Sequence, residues 1–176
     1  MLTPDNHPVW EVYDLHRTAR LNVLYYEKKL ARYELANTTL DVLVAVLAPS
    51  SAAAGFFFFK NDHGKEIWAT LCAISSTIAI VKPFLRLAEK IKTIEKSLTA
   101  YRIMDYDLRA LCKRIRSELD YTKQCKKAFD EIDERLKGLA VNAPNIGKDN
   151  KLRDKLFESV VVELPKTSFF IPEIKT

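Results

Sequence analysis

"LDVLVAVLAPSSAAAGFFFFK", Leu40–Lys60, is the stretch on which the fold of this chain turns. From Val42 to Phe59 it holds eighteen consecutive residues without a formal charge, yet Asp41 stands at its edge and Pro49 in its middle. As a helix rising ~1.5 Å per residue this run reaches about 27 Å, close to the ~30 Å of bilayer hydrocarbon. A second run, Ile67 to Val81, has fifteen uncharged residues and extends through Lys82–Leu85 if the Lys82 ammonium snorkels to the headgroups. Between them the seven residues "KNDHGKE", Lys60–Glu66, read as a tight turn between antiparallel helices.

The competing reading is a helical hairpin in the core of a soluble bundle. Three features weigh against it. Buried soluble helices keep a polar stripe where they meet water, and neither run has a charge on any face for four or five turns. Aromatics mark the ends, with Phe56–Phe59 beside Lys60 and Trp68 after Glu66, as at headgroup level. Charge is asymmetric: Arg17, Arg20, Lys28, Lys29 and Arg32 precede the first run, and Lys82, Arg86, Lys90, Lys92 and Lys96 follow the second. The turn's Lys60 and Lys65 are balanced by Asp62 and Glu66, so the positive-inside rule puts both termini in the cytoplasm and the turn outside.

Polar and small residues in the runs are the candidate functional positions. Asp41 is either an ionisable group working inside the membrane or a headgroup-level anchor of its helix. Pro49 removes a backbone donor in mid-span and frees the Ala45 carbonyl, which implies a kink. Ser51 with Gly55, and Ala48 with Ala52, are small-xxx-small pairs that allow close backbone approach, either within the hairpin or between copies. Ser75, Ala79, Lys82 and Arg86 fall on one helical face that ends in two cations. Two spans cannot enclose a pore alone, so a conducting path requires a homo-oligomer.

Beyond the membrane runs the composition points to helices. The chain has 176 residues and four glycines, few for sheets or phosphate-cradling loops. A heptad rhythm runs through Leu87, Ile91, Ile94, Leu98, Tyr101, Asp105, Leu108, Cys112, Ile115 and Leu119, and Asp105 breaks its apolar character. It then shifts register to Phe129, Ile132, Leu136 and Leu139. No proline or glycine interrupts Phe84–Lys137, which predicts one long helix with a single break near Tyr121. Its seam needs either an antiparallel partner in the same chain, Asp14–Ala36, or a second copy, for which Leu98, Tyr101 and Leu108 are the candidate oligomer-packing positions.

The remainder is thinner. After the linker "GLAVNAPNIGKDN" the β-branched "ESVVVEL", Glu158–Leu164, and "KTSFFIPEI" predict one or two short strands or an extended tail. The expected divisions are a cytoplasmic helix over 1–37, a transmembrane hairpin over 38–85 (spans 40–59 and 67–85), cytoplasmic helices over 86–140, and a linker with a strand-like tail over 141–176. Cys72, Cys112 and Cys125 match neither a zinc site nor a disulfide framework, and the three histidines are scattered, so no metal or cofactor is expected. Phosphate-loop, dinucleotide, zinc-protease and nucleophile-elbow motifs are missing, which argues against an enzyme. Lysine and arginine outnumber acids 13 to 6 between Lys82 and Lys127, but no aromatics interleave that basic face, so a membrane-proximal solvated surface is expected in place of nucleic acid.

The segments "HRTARLNVLYYEKKLARYELANTTLDVLVAVLAPSSAAAG", "IWATLCAISSTIAIVKPFLRLAEKI" and "SLTAYRIMDYDLRALCKRIR" resemble the SLATT superfamily of small two-transmembrane proteins. The likeness covers about residues 14 to 120: a basic aromatic-bearing helix, a membrane hairpin, and a following helix with a tyrosine-containing segment. It implies an all-α membrane protein of the bacterial inner membrane, an oligomeric effector of anti-phage conflict that permeabilises the membrane when a sensor or second-messenger partner triggers it. No site residue is implied by the resemblance. The alternative is a non-conducting, membrane-anchored adaptor whose coiled helices scaffold a cytosolic partner.

Overall fold

The computed structural model describes residues 7–58, 62–141 and 147–172, and within these the side chains of 46–58, 62, 63, 65 and 140 are not described. Every described element is helical: α1 (Val9–Phe58), α2 (Asp62–Leu85), α3 (Leu87–Glu118), α4 (Lys123–Val141), α5 (Asn150–Glu163) and a 3₁₀ turn, Lys166–Ser168. The chain divides into two units, one drawn from Met1–Lys29 and Thr93–Thr176, the other from Leu30–Lys92.

The first unit is a four-helix bundle. The start of α1, α3, α4 and α5 supply its walls, and two expected a/d residues of α3, Leu108 and Ile115, fill its centre with Met104 and Leu111, which the heptad reading did not include. Met104, Leu108, Leu111 and Ile115 of α3 meet Val9, Val12, Tyr13 and Ala19 of α1, together with Cys125, Phe129 and Ile132 of α4. Burying each large apolar side chain of this set contributes roughly 1.5–3 kcal/mol. Cross-helix contacts give the directions. Tyr26 stacks on Tyr101 with ring centroids 5.3 Å apart, while His16 reaches Asp105, so α1 and α3 run antiparallel. Arg114 bonds Gln124 and Arg135 bonds Asp107, which makes α3 and α4 antiparallel as well.

The break between α3 and α4 falls where the sequence placed it. Leu119 takes a left-handed φ of 51°, and the Thr122 hydroxyl caps α4 by accepting from the Cys125 N–H at 3.3 Å. A further break was not foreseen. Arg86, at φ 46°, separates α2 from α3, three residues after Pro83, whose missing N–H weakens the last turn of α2.

Two boundaries differ from expectation. The helix expected over Asp14–Ala36 begins at Val9 and continues unbroken through Asn37–Asp41. Asn37, a residue type that caps helices, donates its amide to the Asp41 carboxylate one turn on (3.0 Å) and leaves the backbone ladder intact. Of the expected turn Lys60–Glu66, residues from Asp62 onward already belong to α2, and 59–61 lie outside the described residues.

The strand expected over Glu158–Leu164 is corrected: this stretch lies in and at the end of α5, a helix. An extended strand would put Val160 and Val162 on one face, whereas Val160 is 0% exposed and Val162 is 81% exposed. Leu152, Leu156, Val160 and Leu164 recur every four residues and pack around Leu21 of α1. Asp149 starts the helix by accepting from the Leu152 N–H at 3.0 Å. Tertiary burial and a good cap outweigh the modest helix penalty of three valines. Past α5 the chain returns to α1. Leu164 accepts two bonds from the Arg17 guanidinium (3.0 and 2.7 Å), Phe169 stacks on Tyr13 at 4.1 Å, and the Tyr13 hydroxyl donates to the Phe170 carbonyl.

Candidate functional site

The second unit joins the α1 segment from Leu30 to α2 and the first turns of α3. Its described side chains are mostly apolar and outward. Val42, Leu43, Ile67, Leu71, Ile74, Ile80, Val81 and Leu85 are all exposed, and Phe84 is 81% exposed. Among the described residues one helical stretch, Glu66–Glu118, is long and apolar enough to cross a membrane by length and composition, and 6% of its apolar window is buried. The core helix of a soluble bundle would have most of that window covered.

One narrow stripe of α2 is half-buried: Trp68, Cys72, Ser75, Ile78 and Lys82, spaced by three and four residues. Tyr33, Asn37, Leu40 and Val44 form the matching stripe of α1. Where the two meet, Lys82 forms an ion pair with Asp41. The second carboxylate oxygen of Asp41 accepts from Asn37, so one donor comes from each helix.

The structure thus brings Asp41 and Lys82 together and sets Ser75 on the stripe that Lys82 occupies. Arg86 stays apart, exposed at the α2–α3 break and 3.8 Å from Glu89. Pro49, Ser51, Ala48, Ala52 and Gly55 are on the helical backbone of α1, but their side chains lie outside the described residues. Leu98, Tyr101 and Leu108, expected to pack between copies, are instead buried inside the chain's own bundle, where Leu108 joins the α1–α3–α4 core and Tyr101 covers Tyr26.

A polar cluster in the bundle went unrecognised in the sequence. His16 and Asp105 are both more than nine-tenths buried, and His16 Nε2 lies 3.3 Å from Asp105 Oδ1, within ion-pair distance but without hydrogen-bond alignment. Cys112 Sγ is 3.9 Å from His16 Nδ1, and Arg109 reaches Asp105 Oδ2 from the surface at 3.5 Å. The outline is that of a thiol–imidazole–carboxylate relay. Burial, however, pushes the Cys112 thiol up to about 12, which keeps it protonated and removes the thiolate that nucleophilic chemistry requires. The signal for this cluster was present: Asp105 is the one polar a/d position of α3, and a lone polar group in an apolar seam fixes which residues face each other. No group of three His, Cys, Asp or Glu side chains able to hold a metal is found among the described residues.

Comparison with protein-family models, with curated proteins and with solved structures finds no match to this chain.

Proposed function

We propose that this chain is an oligomeric membrane effector whose α1–α2 hairpin sits in the bacterial inner membrane and permeabilises it on a trigger, with both termini cytoplasmic, as the resemblance to two-transmembrane conflict effectors implies. The observation that carries the reading is the outward apolar surface of α2: among the described residues an 18-residue apolar window is 6% buried, and lipid is the solvent that suits it. The bundle, closed on its own core, is then the cytoplasmic part that meets the triggering sensor. No catalytic step is assigned to either unit.

The adaptor reading draws on a different observation. Tyr106, Phe157 and Val162 leave apolar surface on the bundle that a cytosolic partner would cover. One experiment separates the two. The chain is induced in bacteria, alone and together with its neighbouring genes, membranes are fractionated, and the transmembrane potential is followed with a dye, for the native chain and for Ile74→Lys. Ile74 is exposed, so a lysine there is harmless in water and costs about 2.5–3.5 kcal/mol at mid-bilayer. Depolarisation by the native chain and its loss in the variant support the effector. Membrane association with an unchanged potential supports the adaptor, and a native chain in the soluble fraction refutes both.

A further inference from the structure

We infer that the Asp41–Lys82 ion pair is a membrane-edge clasp, which holds the resting hairpin in register and whose opening lets the hairpin exchange partners with further copies of the chain. This rests on the membrane reading above and adds the element that switches it.

The pair lies at the terminal-side rim of the apolar runs, Asp41 directly before Val42 and Lys82 directly after Val81. On the side of the chain termini, Leu35 (69% exposed), Phe84 and Leu85 still present apolar surface beyond it, and on the other side Val42, Leu43, Ile80 and Val81 do the same. Between Leu35 and Phe59, and between Ile67 and Leu85, Asp41 and Lys82 are the sole formal charges. An unpaired charge bordered by apolar surface is disfavoured, and two opposite charges in contact, with Asn37 satisfying the remaining carboxylate oxygen, are tolerated. The closed state is therefore stable only while the two residues meet.

The same residues define the alternative. Their side chains are 51% and 31% exposed, Asp41 and Lys82 respectively, so a neighbouring hairpin can approach the pair without unpacking a core. Once α1 and α2 slip, each charge needs a new partner of opposite sign, and in an apolar solvent the complementary residue of a second copy supplies one. Lys82 of one chain then pairs with Asp41 of the next. Repeated around an axis, this exchange builds a ring of alternating charges from a single intrachain contact, and such a ring holds water where the closed hairpin excludes it.

The test uses the full chain in lipid vesicles, as native protein, Asp41→Asn, Lys82→Met and the charge-swapped double variant Asp41→Lys with Lys82→Asp. Thermal midpoint and the fraction of covalently cross-linked oligomer are measured for each. Each single variant removes the pair both within and between chains, so it is expected to melt earlier and to lower the cross-linked oligomer fraction several-fold, and the swapped pair is expected to return both towards native values. A swapped pair as unstable as the singles, or singles indistinguishable from native, overturns the clasp. Dye release from the same vesicles reports on permeabilisation separately. Coupled midpoints without release in any variant would support the clasp while refuting the pore.

Discussion

The helix that replaced an expected strand offers a sharp quantitative test. Replacing Val160 by Ala removes two methyl-sized groups from a fully buried site. At ~0.8 kcal/mol per buried carbon this costs about 1.6 kcal/mol, and the cavity left against Leu21 and Leu156 adds about 1 kcal/mol more. Alanine's better helix propensity returns about 0.5 kcal/mol, so the net loss is about 2 kcal/mol. Val162, being exposed, loses no packing, and Val162→Ala should stabilise by about 0.5 kcal/mol from propensity alone. For a unit of this size the first change lowers the melting midpoint by about 6–12 °C and the second leaves it level or slightly higher. Thermal melts of the full chain in detergent, followed by circular dichroism, read both. Equal losses from the two substitutions would mean that both valines share a face, and the α5 assignment would fall with them.

Three further outcomes are expected of the bundle. Asp105→Leu and His16→Leu each leave the other group buried without its partner and should cost about 3 kcal/mol apiece, whereas the double variant should cost less than either; additive losses in denaturant melts would show that the two do not interact. Leu119→Gly relieves a left-handed, exposed leucine and should stabilise by about 0.5–1 kcal/mol, so a lower midpoint would refute the turn described between α3 and α4. Burial pushes the phenols of Tyr13, Tyr26 and Tyr121 and the thiol of Cys112 up to about 12, so the folded bundle prefers their protonated forms. That stabilisation is complete below their ordinary range of about 9–10 and is lost as pH climbs towards 12. Phenolate absorbance should accordingly show a fraction of tyrosines titrating late, and a single phase near the ordinary value would contradict their burial.

What could be read in advance depended on how far each signal reached. The α3 seam was legible because ten a/d positions repeat without a glycine or proline, and antiparallel pairing with α1 was one of the two ways to cover it that the sequence left open. The Leu119 break was legible too, since the register shifts there. Asp105 announced itself as the polar exception, but its partner did not, because His16 lies on another helix and no local pattern links the two. Arg86 gave little warning: a left-handed arginine is set by geometry after Pro83, not by its own preference. The α5 error came from weighing the β-branched triplet Val160–Val162 above the four-residue spacing of Leu152, Leu156 and Leu164. In the hairpin the sequence marked Asp41 and Lys82 separately, and the structure made them one feature.

The contact between Tyr13 and the Phe170 carbonyl joins residues 157 positions apart. At the ~5–20 residues per second of synthesis, Tyr13 waits about 8–30 s for its acceptor. During that interval the apolar helices from Leu30 to Lys92 have already left the ribosome, while the bundle lacks α5 and its closing segment. The segment around Phe170 thus acts as a fastener that secures α1 only after the intervening helices have been made.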